Sequence, residues 1–173
     1  LKNFDDLFLL KSKGFRGEAL ASIAAIASIQ AASRRKKDEI GKLIKISGGK
    51  VGLVEDSVTS VGTSISVKNL FYNVPARRNF LKSDNVELKH IIDEFHRIAL
   101  AHPEICFVFF QNDSELFKLP ISSLQKRIIN IFSNKIQEKL IPVEEKTSVA
   151  EISGFVIKPD FSKKSRGQQF FFV

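Results

Sequence analysis

The sequence predicts an α+β fold in which helices cover one face of a largely antiparallel sheet, and three observations carry that prediction. Residues 43–56 (LIKIS-GGK-VGLVED) alternate around a Gly-Gly turn, as a hairpin does. Residues 105–119 (ICFVFFQNDSELFKL) repeat the pattern around Asn112-Asp113. Helical periodicity is confined to single segments between such hairpins, without the regular β-α alternation of a parallel doubly wound sheet.

The elements follow in chain order. Phe4, Leu7 and Phe8 share a face of a short helical or lid-like segment, with Asp5 and Asp6 opposite. In residues 19–27 the only polar residue is Ser22, so a helix here is expected to be covered on most sides. SRRKKDE at 33–39 reads as a solvated turn. GTSISVKNLF at 62–71 reads as a strand with Ile65 and Val67 on one face, followed by a long connection around Pro75. Asp84 and Glu87 fit a capping box. Leu88, Ile91, Ile92, Phe95, Ile98 and Ala99 then repeat at helical spacing until His102-Pro103. Asp93 and Arg97 stand at i, i+4, the spacing of an exposed ion pair. Beyond Pro120, the expected division between residues 1–120 and 121–173, Leu124, Ile128, Ile131 and Phe132 mark a helix capped by Ser122 or Ser123. Strands are expected over 140–143, 150–157 and 169–173.

Composition narrows the function classes. With 43% hydrophobic and 27% charged residues, the chain can bury one or two ordinary cores. No apolar run approaches the roughly 20 residues of a membrane helix, and no secretory signal opens the sequence. The reading is a soluble intracellular chain without a membrane partner. The lone Cys106 forbids an internal disulfide, and Ile105, Phe107 and Val108 around it predict a buried strand residue. The absence of methionine suggests an internal or processed piece. A formal net charge of +8 favours a polyanionic partner: nucleic acid, a nucleotide or an anionic surface. His90 and His96, six residues apart, lack the spacing of a helical zinc pair.

KSKGFRGEALASIAAIAS at 11–28 places a basic, glycine-framed hinge against a helix start. Such a start offers unpaired N–H groups and an effective half positive charge. Gly14 and Gly17 let backbone approach a phosphate closely, and Arg16 can add a charge-assisted contact. The same spacing also suits a helix end at Gly14 followed by Glu18 stabilising the next helix.

Three blocks resolve the choice: GFRGEALASIAAIASI, VGTSISVKNLFYNVPARRNFLK and GFVIKPDFSKKSRGQQFFFV. Together, and in this order, they resemble the MutL family of DNA mismatch-repair ATPases, members of the GHKL superfamily with gyrase B. The resemblance covers essentially the whole chain. It implies the C-terminal part of a GHKL (Bergerat-type) ATPase α/β sandwich in residues 1–120. The start of a ribosomal-S5-like transducer domain is implied in 121–173.

The resemblance implies roles by position. Backbone amides of Gly14, Phe15, Arg16, Gly17, Glu18, Ala19 and Leu20 meet the triphosphate of ATP, and Thr63 stands beside the adenine pocket, where its alternative is a strand hydroxyl. Arg77 and Arg78 pair with carboxylates of their own domain or face DNA. SRRKK and KKSRG are solvated charge runs or DNA-backbone contacts, the second through Lys163, Lys164 and Arg166. The family's catalytic Glu, its Mg²⁺-holding Asn and its adenine-reading Asp do not occur here, so these residues alone are expected not to turn over ATP. The implied partners are DNA, a MutS-type mismatch-recognition protein and a second copy in an ATP-dependent N-terminal homodimer, in a bacterial cytoplasm at the nucleoid. The alternative is a basic DNA-binding module with no nucleotide dependence.

Overall fold

A computed structural model describes residue 14 and residues 16–162 and 167–173. The chain folds as two compact units, residues 1–82 and 83–173. The expected lid-like segment at Phe4, Leu7 and Phe8 lies outside the described residues.

The first unit is built on a four-stranded antiparallel sheet. Helix α1 (Glu18–Ile26) leads into β1 (Ser28–Arg34), β2 (Gly41–Ser47), β3 (Lys50–Ser57) and β4 (Gly62–Lys68), arranged β3-β2-β1-β4. The Gly48-Gly49 turn has φ of 54° and 78°, the left-handed pair that the tight hairpin between β2 and β3 requires. Strand β1 is not legible in the sequence, because SIQAASR continues the alanine-rich helical run without a glycine or proline. The break falls on Ala27 alone, which is extended at φ −145°, ψ 172°. β1 is central, paired with β2 through Ile29–Ile46 and with β4 through Ile29–Val67, and two ladders of hydrogen bonds override a local helical preference.

Alternation divides this sheet into two faces. Register places Val67, Ile29, Ile46 and Val51 in one row and Ile65, Ala31, Ile44 and Val54 in the next. The other face carries Lys68, Ser28, Ser47 and Lys50, then Ser66, Gln30 and Lys45. α1 packs against β2, yet only Ala24 within it is buried, with Ile23 and Ile26 half-buried. The expected cover on most sides is therefore absent among the described residues.

After β4 the chain makes a turn and a single helical turn, α2 (Pro75–Arg78). The second unit opens with α3 (Asp84–Ala101). Its N-cap is Ser83, one residue earlier than the capping-box reading, so Asp84 and Glu87 lie inside the first turn and act on the helix dipole instead. Strands β5 (Phe107–Gln111) and β6 (Ser114–Leu119) pair around Asn112 and Asp113, which take φ of 44° and 63°. Helix α4 (Leu124–Phe132) is capped by Ser123, whose hydroxyl accepts from the Lys126 amide at 3.3 Å. β7 (Leu140–Lys146) and β8 (Glu151–Ile157) close a third antiparallel pair.

The core of this unit joins Ala99 and Leu100 of α3, Leu119 of β6 and Ile131 of α4, with Phe95, Phe107, Phe117 and Phe132 against it. Residues 169–173 carry no strand; instead Phe170 packs on Phe132, ring centres 6.1 Å apart. Arg97 pairs with Glu94 at 3.4 Å rather than with Asp93, as both i, i+3 and i, i+4 neighbours are within reach on a helix. Cys106 is exposed. It precedes β5, so the alternation that half-buries Phe107 does not extend back to it. No helix among the described residues is long and apolar enough to cross a membrane.

Candidate functional site

Gly17 caps the start of α1 with φ 69° and ψ 9°, and no side chain among the described residues supplies a capping hydrogen bond. This left-handed conformation costs a residue with a Cβ about 1–2 kcal/mol, which is the local reason for glycine. The first-turn N–H groups of an α-helix have no acceptor within the helix. Arg16, Gly17, Glu18, Ala19 and Leu20 are all exposed around this start, as is Gly14; Phe15 lies outside the described residues. Among the described residues, a Cβ placed on Gly14 or Gly17 would meet nothing within 4 Å.

The opposite end of α1 is held by two distant loops. Its last carbonyls are those of Ala24, Ala25 and Ile26, with Ala27 following. They accept from the Gly49 amide at 2.8 Å, the Asn73 Nδ2 at 2.8 Å, the Phe71 amide at 2.7 Å and the Gly48 amide at 3.4 Å. Each end-of-helix carbonyl thus finds a donor outside the helix. Phe71 takes φ 63° to do so, a strained choice for an aromatic residue. Tyr72 Oη lies 3.0 Å from Ser47 Oγ. A Cβ on Gly48 would come within 2.7 Å of that phenol oxygen, so the Gly-Gly turn, the Phe71–Asn73 segment and the helix end form one joint. The asparagine of FYNVPARR is therefore a helix-capping residue. Its arginines are exposed, and no carboxylate partner is seen for Arg77 or Arg78 among the described residues.

Thr63 stands in a polar row at one end of the sheet's apolar face: Thr63, Ser33, Lys42 and Asp56 face one another across four strands. Its hydroxyl lies 2.8 Å from Ser33 Oγ, and Lys42 pairs with Asp56. The strand-hydroxyl role is thus filled, while the row leaves polar groups on the same face as the apolar rows. Arg34 is not a solvated charge: its Nε donates to the Thr59 carbonyl at 2.7 Å and its Nη1 to the Asp38 carbonyl at 3.0 Å. Arg35 and Asp38 pair at 2.7 Å, which lowers the Asp38 carboxyl and raises the guanidinium relative to their ordinary values. Lys163, Lys164 and Arg166 lie outside the described residues.

Two groups in the second unit escape sequence reasoning. Arg127 is completely buried, and its Nη2 donates to the carbonyls of Pro103, Ile105 and Pro120 at 3.0, 2.7 and 3.0 Å. Burial pulls its guanidinium below the usual arginine range. The signal was present: Arg127 sits three after Leu124 and four before Ile131, on the helix's apolar stripe. His96 is packed among Phe95, Phe117 and Phe132, and desolvation lowers its imidazole below its ordinary value. No cluster of three metal-ligating side chains occurs among the described residues.

Comparison with known proteins adds independent findings. Residues 128–173 match the family of the DNA mismatch repair protein, C-terminal domain, which is the S5-like transducer fold. Over all 173 residues the chain is 62% identical to the DNA mismatch repair protein MutL of Christiangramia forsetii and 57% to that of Flavobacterium psychrophilum. It spans about 28% of the length of these relatives. The Aquifex aeolicus MutL ATPase domain complexed with ADP superposes at a TM-score of 0.67 and 29% identity, over 83% of this chain and 55% of that one. The N-terminal domain of a DNA repair protein gives a TM-score of 0.77 over 96% of this chain and 55% of that one; at 20% identity this is a likeness of fold. Identity at this level along the full 173 residues, with the motif blocks in family order, places the chain in the MutL family.

Proposed function

We propose that these residues form part of an ATP-operated switch in DNA mismatch repair. In this reading the amides from Phe15 to Leu20, framed by Gly14 and Gly17, receive the triphosphate, and Thr63 lies beside the adenine. Binding orders the hinge ahead of α1, the N-terminal regions pair as a homodimer, and the state is passed to a MutS-type partner and to strand processing on DNA. The observation that carries this is the α1 start: a left-handed glycine with no side-chain cap among the described residues, at a helix start whose first-turn amides suit an anion. The likeness to an ATPase domain complexed with ADP supports it.

Mg²⁺ bound with the nucleotide supplies charge neutralisation on the phosphates. No residue of this chain is assigned to it, nor is a general base, so the intact protein is the ATPase and these 173 residues alone release no phosphate. Residues 1–120 are assigned to the ATPase domain and 121–173 to the transducer, in a cytoplasmic, nucleoid-associated protein. Arg77, Arg78, Lys163, Lys164 and Arg166 are assigned to DNA.

Gly17→Ala tests the reading. In the intact protein the backbone cost is about 1–2 kcal/mol, whereas affinity for a non-hydrolysable ATP analogue should fall at least tenfold, because the added methyl stands where phosphate approaches. Unchanged nucleotide affinity would refute the phosphate assignment. DNA binding without any response to nucleotide would favour the basic-module alternative.

A further inference from the structure

We infer that the polar face of the β3-β2-β1-β4 sheet is a binding surface for the phosphate backbone of duplex DNA, read by Lys45, Lys50 and Lys68. This rests on the mismatch-repair reading that the protein meets DNA, and it assigns that contact to residues no motif singles out.

Register fixes the arrangement. Lys68, Ser28, Ser47 and Lys50 lie in one row across all four strands, and Ser66, Gln30 and Lys45 lie in the row beside it. At about 4.8 Å per strand, the first row separates Lys68 from Lys50 by about 14 Å, and Lys45 is offset by about 7 Å along β2. These residues line a shallow trough of about 380 Å³. Lys45, Lys50 and Lys68 are exposed, Lys45 to 63% of its side chain. Lys45 pairs with Glu55 at 4.0 Å, while Lys50 and Lys68 have no carboxylate within 4 Å among the described residues, so the face keeps a net positive charge. Between the lysines are hydroxyls and an amide, neutral donors that suit phosphate oxygens: Ser28 and Ser47 lie 3.4 Å apart, and Ser47 also contacts Tyr72.

Charge complementarity selects the occupant. Phosphates of one DNA strand recur about every 3.4 Å of rise, so three lysines spread over about 14 Å meet several of them on one backbone. A lipid surface is less suited, because the paired residues of the two rows are Lys, Ser and Gln, with a single exposed leucine, Leu53, at the β3 bulge opposite Lys45. The flatness of the face fits sequence-independent backbone contact rather than groove reading.

The test is fluorescence anisotropy of the full-length protein on labelled duplex DNA from 50 to 200 mM salt, comparing wild type with Lys45→Gln/Lys50→Gln/Lys68→Gln. Loss of three phosphate contacts should flatten the slope of log K against log salt by about 2.7 and weaken binding at 50 mM salt at least tenfold. Each single substitution should flatten it by about 0.9, which keeps the inference testable if the triple variant folds poorly. Unchanged slope and affinity, with wild type binding DNA, would overturn the assignment while leaving the mismatch-repair reading intact. Wild type failing to bind DNA would overturn both. A variant that loses only binding to phosphatidylserine vesicles would overturn it in favour of a membrane surface.

Discussion

Replacing Asn73 probes the joint that holds α1 in place. Its Nδ2 donates to the Ala25 carbonyl at 2.8 Å, across 48 residues of chain. Because Asn73 is exposed, water can partly replace the lost donor, and Asn73→Ala should cost about 0.5–1.5 kcal/mol. Asn73→Asp removes the donor and also sets a negative charge against the negative end of the helix, adding about 0.3–1 kcal/mol. Amide hydrogen exchange of α1 in the intact protein reads these costs directly, since local opening sets the rate. Exchange should quicken about twofold to thirteenfold in the alanine variant and about fourfold to seventyfold in the aspartate variant. Equal exchange in all three proteins, or aspartate indistinguishable from wild type, would show that Asn73 does not cap the helix.

Two further outcomes concern the second unit. His96 has its pKa lowered, first by desolvation and against the opposing pull of Asp93, so folding favours the neutral ring. Stability from this site is complete above the ordinary histidine value of 6.5 and is lost as pH falls through it toward the lower folded value; urea midpoints measured from pH 7.5 to 5 should fall less steeply in His96→Phe. Arg127→Met should lower stability by about 2 kcal/mol: the Ile105 and Pro120 carbonyls lose their donor, partly offset by relief of a desolvated charge. An unchanged or higher urea midpoint would show that the charge's desolvation outweighs its bonds.

Elements defined by their own residues were legible in the sequence. The Gly48-Gly49 and Asn112-Asp113 turns carry the left-handed backbone their hairpins demand, and α4 follows from Ser123 and a regular apolar stripe. β1 was not legible, because its identity lies in partners on β2 and β4 rather than in its alanines. The capping box on α3 misled by one residue: Asp84 and Ser83 are both competent caps, and the backbone, extended at Ser83 with φ −65° and ψ 153°, makes the selection.

The candidate site divides along the same line. The proposed receiving end lies within GFRGEAL, which contains the glycine, the helix start and the acidic first turn; spacing alone suits a helix end at Gly14 equally well, and the family resemblance makes the choice. The supporting end is not local, since the donors to Ala24, Ala25, Ile26 and Ala27 come from Gly48, Gly49, Phe71 and Asn73. A helix of nine residues is marginal on its own, and α1 buries only Ala24 fully, so satisfying its last carbonyls is a large share of what holds it straight. The FYNVPARR block then acts from behind on the amides proposed to receive phosphate, by fixing the helix that presents them. Strain at Phe71 is the local cost of that arrangement, and it falls where a glycine would relieve the backbone but give up the aromatic side chain.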